Sequence, residues 1–281
     1  MADERTIAFV GPGVMAEAIL ARLLERGGLQ PTSVRMSGPR AERLEQLRER
    51  YQIQTMTVNR EAVQGADLVA LTVKPQTLPE VMQGLKAEIP ERALVLSIVA
   101  GASLASLIEG LQHRSVIRAM PNTPAQVGAG ITVWTATSEV TQAHRELARS
   151  VLSALGEEIE VDEEEYLDMA TALSGTGPAY VYLFMEAMID AGVHMGFPRR
   201  IAEQLVRETI RGSLLYYEHS PSHPARLRNQ VTSPGGTSAE ALYYLEKAGF
   251  RTALARAIWA AYERSVELGK GGKRGSRREA E

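Results

Sequence analysis

Between residues 6 and 134 the chain repeats short apolar runs separated by amphipathic ones, and this repetition narrows the fold more than any other feature. "TIAFV" (6–10), "SVRM" (33–36), "DLVALTV" (67–73), "ALVLSIV" (93–99), "SVIRAM" (115–120) and "GITVW" (130–134) read as strands. Several are apolar throughout, as strands buried on both faces of a parallel sheet require. Between them, "AEAILARLLERG" and "RAERLEQLRERY" carry apolar residues at helical spacing. Strand–helix repetition of this kind predicts an α/β, doubly wound parallel sheet.

The pattern changes after "EIEVDEEEYLDMA", where strand signals stop. A chain of 281 residues exceeds the usual single domain. We therefore expect an α/β domain over 1–162, an all-α domain over 163–269, and a polar, glycine-containing tail over 270–281 that is disordered. The acidic run Asp162–Glu165 suits a helix N-terminus through its dipole rather than a metal. Residues 178–194, "PAYVYLFMEAMIDAGVH", open on Pro178 and carry only Glu186 and Asp190 as clearly polar side chains. A helix apolar nearly all round must be buried on most sides, and in so small a domain a partner subunit is the natural cover. "FPRRIAEQLVRETIRGSLLYYEHS" and "FRTALARAIWAAYERSVELG" supply further helices.

Composition excludes several functions. A net charge of −3 argues against a nucleic-acid binder. The absence of cysteine removes disulfides, thiolate catalysis and cysteine metal sites. The five histidines show no metal-binding spacing, and Pro221 and Pro224 interrupt any helix that would align His219 with His223, so no metal is expected. "MADERT" is not a signal peptide, and no apolar run reaches the roughly 20 residues that span a bilayer. The expected location is cytoplasmic.

"IAFVGPGVMAEAI" places Gly11, Gly13 and Ala16 between the first strand and the first helix. This G-x-G-x-x-A spacing marks a Rossmann-type dinucleotide site: a tight turn, a close backbone approach to pyrophosphate, and close helix–strand packing. An NAD site usually carries a carboxylate at the end of the second strand. Here "RMSGPRAER" offers Ser37 and Arg40 with no acid before Glu42, which favours NADPH over NADH. The same residues also suit a polar turn.

"SPGGTSAEAL" (233–242) allows two readings. Thr237 and Glu240 have capping-box spacing, with Gly235 and Gly236 permitting a tight entry. Alternatively, bare amides at a helix start beside a hydroxyl suit a carboxylate.

Taken in order, "GPGVMAEAI", "VKPQ", "VAGASL", "MPNTPAQVGAG", "ALSGTGPAYVY", "GFPRRIA" and "HPARLRNQVTSPGGTS" closely resemble the pyrroline-5-carboxylate reductase family over residues 6–269. The resemblance implies NAD(P)H-dependent hydride transfer to the imine carbon of 1-pyrroline-5-carboxylate, giving L-proline, the final step of proline biosynthesis. It implies a homodimer built by the helical domain, with the active site between subunits; some members form decamers, pentamers of dimers. It implies pyrophosphate contacts from Val10, Gly11, Pro12, Gly13, Val14 and Met15. Asn59, Val73, Lys74 and Pro75 match positions near the adenosine and riboses, and Ala100 and Gly101 the nicotinamide side. Asn122 and Thr123 end another strand, where either ligand binding or a proline-flanked turn explains them. Gly235, Gly236, Thr237 and Ser238 match the loop that receives the substrate carboxylate, with the Ser238 hydroxyl toward the ring nitrogen.

Four positions depart from the family pattern: Ser238 for threonine, Gly38 for a second phosphate-binding residue, Pro221 for glutamate and Asn229 for aspartate. Two other readings stand beside this one. A β-hydroxyacid dehydrogenase joins similar domains but needs a lysine after the glycine-rich turn, where "SGTGPAYVYLF" has none. A non-catalytic NADP-binding regulator would keep the fold without the reaction, against which the intact "SPGGTS" speaks.

Overall fold

A computed structural model of the chain describes residues 5–269. The expected disordered tail and the first four residues lie outside the described residues. By compactness the chain parts into two units: residues up to Thr176 together with those from Ala261, and Gly177–Ala260.

The first unit runs β1 (Ile7–Val10), α1 (Val14–Glu25), β2 (Val34–Ser37), α2 (Ala41–Tyr51), β3 (Gln54–Met56), α3 (Asn59–Val63) and β4 (Leu68–Leu71). It continues through α4 (Leu78–Leu85), β5 (Leu94–Ser97), α5 (Leu104–Leu111), β6 (Val116–Met120), β7 (Gly130–Ala136), α6 (Gln142–Leu152), β8 (Gly156–Glu160) and α7 (Glu165–Ala170). One sheet holds all eight strands in the order β3-β2-β1-β4-β5-β6-β7-β8. Alternation along β1 shows how both faces are covered. Ile7 and Phe9 join Ile19 of α1, Leu47 of α2 and Val151 of α6 in one core. Ala8 and Val10 join Val63 of α3, Leu85 of α4 and Leu107 of α5 in the other. The sheet is thus doubly wound, as expected.

The sheet is not wholly parallel. β7 pairs antiparallel with β6, Ile117 opposite Ala136 and Met120 opposite Val133, while β8 runs parallel to β7. The link from Met120 to Gly130 carries only a short 3₁₀ turn, Thr123–Val127. A parallel return needs a crossover, usually a helix, which this link lacks. The six expected strands all form. β3 and β8 were not expected, because "QTM" is too short and too polar, and "GEEIE" puts carboxylates where a buried strand has apolar residues. Two of those carboxylates are partnered, Glu158 accepting from the Trp134 indole and Glu160 pairing with Arg145 and Arg149, while Glu157 is exposed.

The compact units also part later than the loss of strand pattern suggests. Residues 163–176 belong with the first unit because α7 is anchored there: Arg118 of β6 is buried and donates to Glu164 (2.9 Å) and Asp168 (2.9 Å). Glu164 is therefore more than a helix-dipole residue. A π-helical turn, Thr171–Gly175, follows α7.

The second unit is entirely helical among its regular elements, as expected: α8 (Gly177–His194), α9 (Arg199–Glu218), α10 (Pro224–Gln230), α11 (Thr237–Lys247) and α12 (Phe250–Gly269), whose end is counted with the first unit. α8 and α9 pack where Gly192 meets Ala202, a Cβ at 192 standing 3.0 Å from the Ala202 Cβ. The His219–His223 segment breaks as Pro221 and Pro224 require, and His223 Nδ1 accepts the Ala225 N–H (3.2 Å) to start α10. In α8 only Gly192 is buried within the chain, while Tyr182, Leu183 and Phe184 are exposed.

Candidate functional site

β1 lies between β2 and β4, so successive connections leave the sheet in opposite directions at its carboxyl end. In open α/β sheets ligands bind in the crevice at such a switch point. Gly11 turns the chain there with φ +108°, and a Cβ would stand 2.8 Å from Val73 Cγ1 and 2.9 Å from the Thr72 carbonyl carbon. Only glycine fits. Thr72 holds the turn from below, its hydroxyl donating to Gly11 O (2.7 Å) with Val10 O 3.0 Å away. Sequence reading passed over Thr72, since nothing local marks a threonine whose partners lie some 60 residues away. Gly13 is the N-cap of α1 and supplies no side-chain cap, so the first-turn amides next to exposed Val14 and half-buried Met15 face outward uncapped. Arg43 donates to Pro12 O (3.3 Å) and pairs with Glu17. Burial raises the Glu17 pKa, but hydrogen bonds from Arg43 and Tyr51 outweigh it and hold the carboxyl below its ordinary value.

A cleft of about 600 Å³ opens beside this turn, lined by Gly11, Gly38, Asn59, Arg60, Val73 and Glu80 among others. The Asn59 side-chain oxygen is buried there without a hydrogen-bond partner. An orphaned acceptor of this kind costs about 1–3 kcal/mol unless a ligand or water donates to it. Gly38 packs against Pro12, whose Cδ would lie 2.4 Å from an added Cβ. The two expected cofactor residues at the end of β2 are placed differently from each other. Ser37 is fully buried and its hydroxyl faces Phe9 O (3.4 Å), so its side chain is turned into the sheet. Arg40 is an exposed residue at the N-cap of α2 and is not among the residues lining the cleft, whereas Arg60 is. Lys74 is exposed at the end of the β4 turn, its carbonyl accepting from the Thr77 amide and hydroxyl (3.0 Å each), and Pro75 opens that 3₁₀ turn.

Ala100 and Gly101 follow β5, so the β1, β4 and β5 turns share one edge of the sheet. Asn122, after β6, spends its amide on structure: its oxygen accepts the Ile131 N–H (3.0 Å) and its nitrogen donates to Ser174 O (3.3 Å). That favours the turn reading of "MPNTP".

In the second unit Gly235 adopts φ +70° and Gly236 is the N-cap of α11. The capping-box expectation is corrected: Thr237 is the first helical residue, and no side chain caps the helix. Gly236 provides the extended backbone that enters the turn, its N–H bonded to Ser233 O (3.0 Å). The first-turn amides of α11 are left without a side-chain partner beside half-buried Ser238 and exposed Thr237.

Among the described residues no group of three or more His, Cys, Asp or Glu side chains is placed to hold a metal. No described helix is long and apolar enough to cross a membrane.

Residues 164–268 match the family described as pyrroline-5-carboxylate reductase dimerisation, and residues 6–101 the family described as NADP oxidoreductase, coenzyme F420-dependent. The pyrroline-5-carboxylate reductase of Synechocystis sp. is 43% identical over 94% of this chain and 98% of its own. That of Pseudomonas aeruginosa is 40% identical over 93% and 96%. The crystal structure of Plasmodium falciparum pyrroline carboxylate reductase with NADP bound superimposes with a TM-score of 0.88 at 30% identity, covering 96% of this chain and all of that one. The Coxiella burnetii pyrroline-5-carboxylate reductase structure gives 0.84 at 34%, covering 95% and 99%. With likeness of this extent running through both units, the chain belongs to the pyrroline-5-carboxylate reductase family.

Proposed function

We propose that the chain reduces 1-pyrroline-5-carboxylate to L-proline, using NADPH in preference to NADH, as the final step of proline biosynthesis. The observation that carries the reading is the cleft at the switch point: a glycine cradle that a Cβ would fill, beside the orphaned Asn59 oxygen. These features fit a dinucleotide, with Val10–Met15 at the pyrophosphate, Asn59, Val73, Lys74 and Pro75 at the adenosine and riboses, and Ala100 and Gly101 toward the nicotinamide. Arg40 and Arg60 are the cations for a 2′-phosphate, since the Ser37 hydroxyl is turned inward. Asn122 serves this edge through its backbone and its hold on the β7 turn.

When bound, the cofactor supplies the hydride. The protein's part is to hold a cationic ring and an anionic carboxylate in one orientation. In the loop from Gly235 through Ser238, the Gly236 N–H is spent on Ser233 O. The first-turn amides of Thr237 and Ser238 have no side-chain cap and suit the carboxylate, and fixed dipoles there stabilise charge without adding another ion. The Ser238 hydroxyl orients the ring nitrogen. No lysine acid/base is required, and "SGTGPAYVYLF" offers none. The assembly that goes with this reading is a homodimer, with a pentamer of dimers as its larger form, and the location is the cytoplasm. Purified protein should oxidise NADPH only when 1-pyrroline-5-carboxylate is added, forming proline in equal amount. NADPH binding with no such oxidation would leave the regulator reading in its place.

A further inference from the structure

The turn at Ala100–Gly101 is held from two sides by one buried network. Gly101 has φ +75°, and the end of α12 occupies the space its side chain would fill: Leu268 Cβ lies 2.9 Å from an ideal Cβ, Gly269 N 3.2 Å. Three residues earlier in α12, Ser265 is buried, and its hydroxyl donates to Asp168 Oδ1 (2.7 Å). The same oxygen accepts from Arg118 Nη2 (2.9 Å), and Arg118 Nη1 donates to Glu164 Oε1 (2.9 Å). Glu164 Oε1 in turn accepts the Leu104 N–H (2.8 Å), the first residue of α5 and three residues after Gly101. One guanidinium therefore fastens both the helix that follows the turn and the helix end that covers it. Arg118 is only 4% exposed, and these two carboxylates balance its buried charge. A buried ion pair of this kind adds little net stability over apolar packing, while fixing geometry is a use to which it is well suited.

We propose that Arg118, Glu164, Asp168 and Ser265 form a positioning network that sets the Ala100–Gly101 turn for the nicotinamide end of the cofactor. The proposal rests on the reading that this turn faces the nicotinamide. Its consequence is kinetic: displacing the turn misaligns hydride transfer while the pyrophosphate and adenosine contacts, made elsewhere, still hold the cofactor. Ser265→Ala is the informative variant. It removes one link and leaves the Arg118 charges paired, whereas Arg118→Met strands two carboxylates and invites misfolding.

Three measurements on the full-length protein decide it. In the cofactor-free state, Ser265→Ala should raise amide hydrogen exchange several-fold in the peptide covering residues 98–106. Its kcat per folded enzyme should fall about fivefold, a transition-state loss of about 1 kcal/mol, with the NADPH dissociation constant changed less than about twofold. Ser265→Thr, which keeps the hydroxyl, should restore both. Unchanged exchange and unchanged kcat in Ser265→Ala would overturn the network, as would equal losses in the threonine variant. Failure of the underlying reading has a separate signature: NADPH would then leave exchange at residues 100–102 of the unmodified protein unprotected.

Discussion

The two units solve the problem of burial in opposite ways. The first has its own interior, in which Phe9, Leu96 and Trp134 are wholly inaccessible and the two faces of the sheet each pack a helical layer. In the second, Ala202 and Val206 are the buried apolar side chains among the described residues, while Tyr182, Leu183, Phe184, Leu214, Tyr244 and Trp259 stand exposed. Burying one such large side chain contributes about 1.5–3 kcal/mol, so leaving a set of them in water forgoes the main source of helical-domain stability. The difference teaches that the described residues complete the first unit's apolar pattern, whereas they leave the second unit's apolar faces uncovered. A second copy is the proposed surface, which agrees with the dimerisation family matched over residues 164–268.

The largest effect is expected where that contrast is attacked directly. Phe184, 44% exposed and 6.5 Å ring to ring from Phe250, would tolerate aspartate if α8 faced water. In a dimer the charge is buried without a partner, so Phe184→Asp should abolish assembly or folding, read by light scattering and circular dichroism. A folded dimer of this variant would break the comparison.

Next in size is Ser238→Ala. Loss of a hydroxyl that orients the imine nitrogen should lower kcat about tenfold or more with melting temperature little changed, since about 1.4 kcal/mol of transition-state stabilisation is a tenfold rate. The neighbouring Thr237→Ala sharpens the point. Thr237 makes no cap, so its removal should change stability by less than about 0.5 kcal/mol, and a loss of the size of a capping bond would restore the capping-box reading.

These examples show what was legible. The strands announced themselves by continuous apolar runs, and the Gly11 turn by its spacing at the end of the first of them. Strand direction at β7 was not legible, because it depends on the length and form of the link before it and not on the strand's own residues. β8 was hidden because the partners of its glutamates, Trp134, Arg145 and Arg149, come from other elements. In the site, glycine positions could be read from spacing. Which way Ser37 turns, which arginine reaches the cleft and what Thr72 and Arg118 hold could not, since each depends on partners distant in sequence.

A smaller effect separates the two candidate cations. Arg60→Ala should weaken NADPH about fivefold relative to NADH, the worth of roughly 1 kcal/mol of phosphate contact, and Arg40→Ala should do so less. Titration of each variant with both cofactors reads the ratio. Equal weakening of both cofactors by both variants would take the 2′-phosphate away from either residue.

The smallest effect belongs to the first unit's own stability. Burial depresses the His113 pKa, only partly offset by its bond to Ala93 O (2.8 Å). The unfolded chain then binds more protons in mild acid, so the contribution of His113 is complete above the ordinary histidine value of 6.5 and is lost as pH falls from there toward the folded value. His113→Gln should flatten the melting temperature between about pH 7 and 5 by a few degrees at most. An unchanged acid slope would show that another group governs it.

The contrast between the units is tested most directly by the molar mass of the unmodified chain, measured by light scattering across a dilution series together with its helicity. The account predicts a particle of at least twice 30.6 kDa that loses helical signal when dilution dissociates it. A stable monomer with full helicity and NADPH-dependent reductase activity would contradict it.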